Sequence, residues 1–221
     1  MKDIIYLVCF MVVWTLTSCE KNVIKGEGPI ETRERTESLK SSFRFIKVDG
    51  EIELYVEYGK ERKLEIRGYQ NLLPIFKTEV VGDKLVLKYE DSYRIRNNNI
   101  KVYLTIDALP DLEINGSCKA SFLGRFPRKE HLHTEINGSG RITYQGGEVN
   151  SCYFSVNGSG NIEAEQLSAD KMGIKISGSG ELKVSVKNEL DVNISGSGKV
   201  FYKGTPVISQ RISGSGKIIS L

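Results

Sequence analysis

Few residues of the chain combine the types and the spacing that acid–base or metal chemistry needs. The two histidines, His131 and His133, are separated by one residue, so a strand would point both side chains to one face, as a pair of metal ligands requires. The acids beside them are Glu130 and Glu135, and no cysteine is close in sequence. This set is more typical of a solvated strand than of a metal centre, and we expect no bound metal.

Two pairs of glutamates have the spacing at which carboxylates can share one face. Glu51 with Glu53, and Glu163 with Glu165, are each two residues apart, and paired carboxylates hydrolyse glycosidic bonds in many enzymes. The surrounding alternation places both pairs on the outer face of a strand, where charge keeps a protein soluble. We therefore expect a protein that is not an enzyme, with a polysaccharide hydrolase or lyase as the alternative.

Short motifs and composition argue against two further classes of function. Gly198-Lys199 and Gly216-Lys217 are similar to the end of a phosphate-binding loop, but Val200 and Ile218 stand where Ser or Thr must hold Mg²⁺. The 31 basic and 28 acidic residues are interleaved and give a net charge of +3, which is not the footprint of a nucleic-acid binder. We expect no cofactor and no nucleic-acid partner.

The first nineteen residues have the pattern of an export signal. Lys2 precedes an apolar run over residues 4–14, which suits a secretory signal and is too short to span a bilayer comfortably. The tetrad Leu16-Thr17-Ser18-Cys19 is similar to the bacterial lipobox, in which the cysteine is lipidated and becomes the new N-terminus. We expect a lipoprotein signal peptide over residues 1–18 and a membrane anchor of acyl chains such as palmitate on Cys19. An ordinary signal peptide is the alternative.

The residues after Cys19 bear on location and on the link to the folded domain. Glu20-Lys21-Asn22 lacks the aspartate signal of retention at the inner membrane, so we expect the outer membrane, with the leaflet left open. Residues 20–42 are polar, charged and without apolar periodicity. This predicts a lipidated N-terminus and solvated tether over residues 19–42, followed by one domain over residues 43–221.

A repeat in the second half of the chain accounts for much of its glycine, 22 residues against 5 prolines. Six units contain Ile or Val, then Asn or Ser, then Gly-Ser, and five of them add a second glycine, which Cys118 replaces in the first unit. Glycine suits such corners because it reaches positive φ without a steric penalty. The corner glycines are Gly116, Gly138, Gly140, Gly158, Gly160, Gly178, Gly180, Gly196, Gly198, Gly214 and Gly216.

Apolar and polar residues alternate on both sides of each corner, which is the pattern of β-strands. Met172, Ile174 and Ile176 precede one corner, for example, and Leu182 and Val184 follow it. No unit can bury its apolar face alone, so equivalent residues would stack in columns about 4.8 Å apart. We predict an all-β fold, a parallel β-helix (solenoid) with coils of 18–22 residues, with a sheet of antiparallel hairpins as the alternative.

Residues 43–113 lack the Gly-Ser corner but are equally rich in strand patterns. Turns are indicated at Gly59-Lys60 and Gly82-Asp83, and a short helical turn at residues 71–75, so we expect an irregular continuation of the same β-stack.

Cys118 and Cys152 have different phases relative to the corner. A disulfide between them is therefore not favoured, and their pairing is left open.

The order of these features resembles the head GIN domain, a family that is named for auto-transporter adhesins and has no assigned function. The resemblance covers residues 40–221 and rests on Phe45–Gly50, Asn71–Leu73, Gly82–Leu85, Leu109–Leu112 and the six Gly-Ser units. It implies a right-handed β-helix without catalytic residues. We expect a non-enzymatic lipoprotein of the Gram-negative envelope that presents a rigid solenoid as an adhesin, with a glycan or a surface protein as its ligand.

The last unit suggests a different use of the same fold. It ends in Ile218, Ile219 and Leu221, which would leave an apolar edge on the final coil. This predicts a homo-oligomer through the C-terminal coil, and a self-associating structural module of the envelope is a further alternative.

Overall fold

The computed structural model describes residues 22–39 and 41–221, so the predicted signal peptide and Cys19 lie outside the described residues. Within them the chain forms 19 strands and one short 3₁₀ helix, and no helix is long and apolar enough to cross a bilayer. The strands are β1 (Asn22–Lys25), β2 (Ile30–Glu34), β3 (Phe45–Gly50), β4 (Glu53–Tyr58), β5 (Lys63–Tyr69), β6 (Phe76–Val81), β7 (Lys84–Tyr89), β8 (Tyr93–Arg96), β9 (Lys101–Ile106), β10 (Asp111–Gly116), β11 (Lys119–Leu123), β12 (Lys129–Gly138), β13 (Arg141–Tyr144), β14 (Gly147–Gly158), β15 (Asn161–Gly178), β16 (Glu181–Gly196), β17 (Lys199–Lys203), β18 (Val207–Gly214) and β19 (Lys217–Ser220). The 3₁₀ helix is Thr36–Leu39.

Successive coils stack as parallel strands in the register that the repeat predicts. Ile136 pairs with Ile114 on one side and with Val156 on the other. Strands that lead into the corners form one parallel stack, in the order β7, β3, β10, β12, β14, β15, β16 and β18. Strands that leave the corners form a second, in the order β9, β4, β11, β13, β15, β16, β17 and β19. This confirms the all-β solenoid of stacked parallel coils and excludes antiparallel hairpins for the repeat.

The interior consists of apolar side chains that repeat in register from coil to coil. One column is completely buried over Ile114, Ile136, Val156, Ile176 and Ile194. Burial of each such side chain stabilises the fold by about 1.5–3 kcal/mol, so neighbouring coils hold one another in place. In the next stack, the rings of Phe122 and Tyr144 are parallel with centroids 4.6 Å apart, and the Tyr144 hydroxyl shares a hydrogen bond of 2.7 Å with Thr134 Oγ1.

The two glycines of each corner meet two different requirements. Gly138 has φ of 134°, and a Cβ atom there would lie 2.5 Å from the carbonyl oxygen of Gly116. Gly140 has no unusual φ, but its Cβ would lie 3.0 Å from Cγ2 of the buried Ile114. The amide of Ser139 donates a hydrogen bond of 3.0 Å to the Gly116 oxygen. The first glycine therefore permits the turn, and the second permits close packing over the core.

The corner pattern also extends one coil further than the Gly-Ser units. Gly50 has φ of 121° and pairs with Gly116, so the Asp49-Gly50 step forms a corner as well.

Cys118 occupies its corner as a buried residue, and burial raises its pKa to about 12. Cys152 is also buried, with a raised pKa for the same reason, and both thiols are free. Cys152 pairs with Leu132, the phase expected from the sequence.

The N-terminal end of the solenoid is closed by antiparallel strands. β6 pairs with β7 at the end of the first stack, and β5 pairs with β9 at the end of the second. The turn between β5 and β6 crosses this end and inserts Leu72 and Leu73, which are completely buried. The first half is thus the irregular continuation of the stack that the sequence predicts, with an antiparallel cap at its end.

The residues assigned to a tether from the sequence are folded in part. β2 pairs antiparallel with β5 over five residues, and the guanidinium of Arg35 donates a hydrogen bond of 2.8 Å to the carbonyl of Leu73. The difference has a physical reason, because an edge strand gains its stability from main-chain hydrogen bonds and needs no apolar periodicity. Residues 22–25 pair with β8, and residues 30–39 belong to the cap. Strand pairing therefore occupies much of the segment 19–42 for which the composition predicts a solvated tether.

The C-terminal end has no such cover within the part of the chain that the structure describes. β18 and β19 are the last strands of the two stacks. Ile212, the final member of the buried isoleucine column, is 37% exposed, and Val207 is 78% exposed. One end of the described solenoid is capped and the other presents open strand edges.

Candidate functional site

The outer face of the first stack carries columns of polar side chains, and we call its outward residues from β3, β10, β12, β14, β15, β16 and β18 the ladder face. The column beside the corners contains Asp49, Asn115, Asn137, Asn157, Ser177, Ser195 and Ser213. Its amides bond along the stack: Asn157 Nδ2 donates to Asn137 Oδ1 at 2.8 Å, and Asn137 Nδ2 donates to Asn115 Oδ1 at 3.0 Å. These bonds hold the side chains in one orientation over successive coils.

The middle column of the ladder face is charged. Its members are Lys47, Glu113, Glu135, Ser155, Lys175, Asn193 and Arg211. Lys47 Nζ lies 3.1 Å from Glu113 Oε1, and this hydrogen bond raises the pKa of Lys47. Burial alone would raise the pKa of Glu113, but the hydrogen bonds from Asn115 and Lys47 outweigh it and lower that pKa. Lys47 and Glu113, at the N-terminal end of this column, therefore neutralise each other's charge.

The third column combines aromatic rings with a gap. Its members are Phe45, Asp111, His133, Tyr153, Gly173, Asp191 and Ser209; Leu112 pairs with Thr134, which aligns Asp111 with His133. The rings of His133 and Tyr153 are parallel, with centroids 5.4 Å apart, and Tyr153 is 40% exposed. Beyond Tyr153 the column has no side chain at Gly173, and a hollow of about 280 Å³ opens there.

The histidines and glutamates considered for chemistry all lie on the outside. Glu53 bonds to Lys101 and to the Tyr55 hydroxyl, and these bonds, that to Lys101 first, lower its pKa. Glu163 lies 3.2 Å from Arg141, and Glu165 lies 2.9 Å from Lys203. The structure brings these acids to basic partners rather than to one another.

Neither the histidines nor the glycine–lysine steps assemble a site. His133 stacks on Tyr153, and no group of three or more His, Cys, Asp or Glu residues among the described positions is arranged to hold a metal ion. Gly198-Lys199 and Gly216-Lys217 lead from corners into β17 and β19, where a phosphate-binding loop would lead into a helix.

A larger hollow lies elsewhere, at the junction of the cap with the first coils, and measures about 550 Å³. Its charged groups pair with one another: Arg62 lies 3.1 Å from Asp107, and Lys129 lies 2.6 Å from Asp111. By contrast, the charged residues of the hollow beside Tyr153, namely Lys175, Asp191 and Arg211, form no ion pair within the described residues. The hollow beside Tyr153 therefore has the more available polar groups. Its one sign in the sequence is Gly173, a glycine outside the repeat.

Comparisons with known proteins agree with this architecture. The family model described as "Putative auto-transporter adhesin, head GIN domain" matches residues 42–206. A solved structure of a "putative adhesin" from Bacteroides fragilis has 20% identity and a TM-score of 0.67, over 90% of this chain and 100% of that one. A "putative lipid binding protein" from Parabacteroides distasonis has 28% identity and a TM-score of 0.56, over 90% of this chain and 100% of that one.

A third solved structure, a "putative adhesin" from Parabacteroides merdae, has 19% identity and a TM-score of 0.56, over 90% of this chain and 99% of that one. No curated protein matches the sequence. An adhesin-like family indicates a protein of the cell surface or envelope. Because the family model spans most of the folded residues, the chain belongs to the family of the "Putative auto-transporter adhesin, head GIN domain".

Proposed function

We propose that the protein is a non-enzymatic adhesin of the cell envelope that is anchored by lipid on Cys19 and binds a glycan or a surface protein through the ladder face. The observation that carries this proposal is the ladder face itself. The Asn115, Asn137 and Asn157 amides are fixed by one another over three coils. A face whose groups are already ordered loses little side-chain entropy when it binds an extended partner.

The surface near the anchor supports attachment to a membrane. β1 begins three residues after Cys19 and pairs with β8, so that Val23 lies beside Arg94 and Lys25 beside Arg96. All four residues are exposed, and none of the three cations forms an ion pair within the described residues. Each such cation contributes about 1 kcal/mol close to an anionic membrane surface. This patch would face phosphate-bearing headgroups when the lipid is inserted.

The anchor is tested by replacing the modified residue. In the lipobox reading, Cys19→Ala abolishes incorporation of radiolabelled palmitate and releases the protein from the membrane fraction. Cys118→Ala is the matched control, because Cys118 is buried in the fold, and it should leave both labelling and fractionation unchanged. Labelling of the Cys19→Ala protein, or its retention with the membranes after a salt wash, would remove the lipid anchor from the proposal.

The enzyme alternative has less support, because Glu53 and Glu163 lie on the second stack and outside the ladder face. Glu53, Glu163 and Glu165 form ion pairs with Lys101, Arg141 and Lys203. These carboxylates lie on outer faces in contact with water, whereas a hydrolase or lyase encloses its catalytic groups in a cleft that excludes water. Turnover of any member of a polysaccharide panel by the purified domain would favour that alternative.

The binding role is tested with beads that carry residues 20–221. We expect retention of these beads on surfaces coated with glycans, matrix proteins or whole cells, and loss of cell attachment when the gene is deleted. Beads that are not retained by any of these surfaces, together with unchanged attachment of the deletion strain, would refute the adhesin.

A further inference from the structure

Tyr153 occupies an unusual position in the third column of the ladder face. His133 covers one face of its ring, with an angle of 9° between the two planes. On the other side the neighbouring residue is Gly173, which has no side chain to cover the ring. Strands are about 4.8 Å apart, so the next side chain in the column, that of Asp191, is two strand spacings away.

Gly173 is not required by its backbone. It is absent from the residues with positive φ, unlike the first glycines of the corners. A Cβ atom at this position would lie 3.0 Å from Tyr153 Cδ2, so the missing side chain is what lets the tyrosine ring lean over the next strand. The glycine thus creates the hollow of about 280 Å³ and leaves one aromatic face open to it.

Polar groups surround the open ring and are not used by the fold. The hollow is lined by Lys175, Asp191, Asn193, Ser209, Gln210 and Arg211. No hydrogen bond or ion pair within the described residues engages their side chains. An exposed aromatic face ringed by free donors and acceptors is complementary to a pyranose, whose C–H face packs on an aromatic ring while its hydroxyl groups bond to carboxylate, amide and guanidinium groups.

We propose that Tyr153 and the hollow over Gly173 form a saccharide-binding subsite. This inference rests on the proposed binding function of the ladder face and names its ligand class. A phosphate-bearing ligand suits the site less well, because Asp191 lies between Gly173 and the last coil and opposes an anion. Sugar hydroxyl groups can donate to the carboxylate of Asp191 and accept from the guanidinium of Arg211, both of which line the hollow.

The probes are methyl β-galactoside, methyl α-mannoside, N-acetylglucosamine and its β-1,4-linked trimer, titrated into isotope-labelled residues 20–221. We expect NMR shift changes confined to Tyr153, Gly173 and their neighbours, with at least one probe. Tyr153→Ser should weaken binding of that probe by about tenfold, which corresponds to about 1.4 kcal/mol. Shift changes that centre elsewhere, or none with any probe, would overturn the inference.

Two further variants separate a subsite from a general effect on the fold. Gly173→Thr fills the hollow with the side chain of a residue that favours strands, so it should abolish binding while the protein still unfolds in one cooperative thermal transition. Tyr103→Ser is the matched control and should bind the probe like the parent protein. Tyr103 is also exposed, by 37%, and its ring stacks on that of Tyr55, but it lies on the second stack. Equal affinity of Gly173→Thr and the parent protein would also overturn the inference.

The bead experiment distinguishes failure of the saccharide-binding subsite from failure of the proposed adhesin function. If the parent beads adhere but no sugar probe binds at Tyr153, the subsite is refuted and the adhesin stands. If the sugar titration succeeds while the parent beads adhere to nothing and the deletion strain attaches normally, the subsite stands and the adhesin is refuted.

Discussion

At the scale of the residue, the corner glycines show which structural features can be predicted from the sequence. The Gly-Ser-Gly units predict the corners directly, because positive φ is open to glycine and closed to most other residues. The corner at Gly50 is not predicted by this motif, because Asp49-Gly50 is followed by Glu51 and Ile52 and not by Ser-Gly. Its φ of 121° is nevertheless that of the other corners. Motif chemistry therefore predicts repeated corners and misses one that has diverged.

Two corner glycines allow the free-energy cost of a positive φ to be measured separately from the cost of a steric clash with the neighbouring coil. Gly50→Ala adds a methyl group that meets no atom within 4 Å, so it should cost about 1–3 kcal/mol for its positive φ alone. In Gly138→Ala the methyl group would lie 2.5 Å from the Gly116 oxygen, and overpacking adds about 1–3 kcal/mol. Denaturant unfolding of both variants measures the difference. Equal losses would show that coil stacking at the corner is not close.

Inside the core, Thr134 and Tyr144 form a buried polar pair that alternation alone does not reveal. Thr134 has an inward phase and is completely buried, and its hydroxyl has the Tyr144 hydroxyl as its partner. Tyr144→Phe should cost about 1–3 kcal/mol, because it leaves a buried hydroxyl unpaired, whereas Tyr144→Phe with Thr134→Val should recover part of that loss. A double-mutant cycle by denaturant unfolding tests this. Additive losses would contradict a direct bond.

At the scale of the element, the cap is the part that the sequence predicts least well. β2 has the sequence Ile-Glu-Thr-Arg-Glu, whose charges resemble those of a solvated linker. Its place in the sheet depends on main-chain pairing with β5 and on Arg35, whose guanidinium reaches the carbonyl of Leu73. Contacts between segments so far apart in the chain cannot be read from local composition.

Removal of β2 tests whether it is structural. A protein that begins at residue 41 lacks β2 and the 3₁₀ helix, and leaves the edge of β5 unpaired; one that begins at residue 22 keeps both. We expect the shorter protein to unfold at a lower denaturant concentration and to aggregate more readily, because open strand edges pair with other chains. Unfolding curves that superimpose would mean that these residues act as a tether after all.

At the scale of the whole molecule, the two ends of the described solenoid differ. Antiparallel strands and Leu72 close one end, whereas Val207 and Ile208 are exposed at the other. Because one end is capped, contact through the open end can join two copies and then stops, whereas two open ends would build a filament. The homo-oligomer expected from the sequence is therefore proposed here as a dimer.

Concentration-dependent light scattering tests this association. Residues 20–221 should change from monomer to dimer as concentration rises, and Ile208→Asp, which charges the open end, should remain monomeric. Val81→Asp is the matched control, because Val81 is 63% exposed at the capped end, and it should dimerise like the parent. A parent protein that stays monomeric at high concentration, or an association that grows beyond two copies, would contradict the proposal.

The proposed role as a lipid-anchored adhesin that acts outside the cell is tested most directly by protease treatment of intact cells. We predict that protease added outside removes the protein while a periplasmic marker protein survives, and that bound antibody against residues 43–221 labels the same cells before treatment. Protection of the protein until the outer membrane is permeabilised would place it in the periplasm and contradict adhesion to another cell or surface.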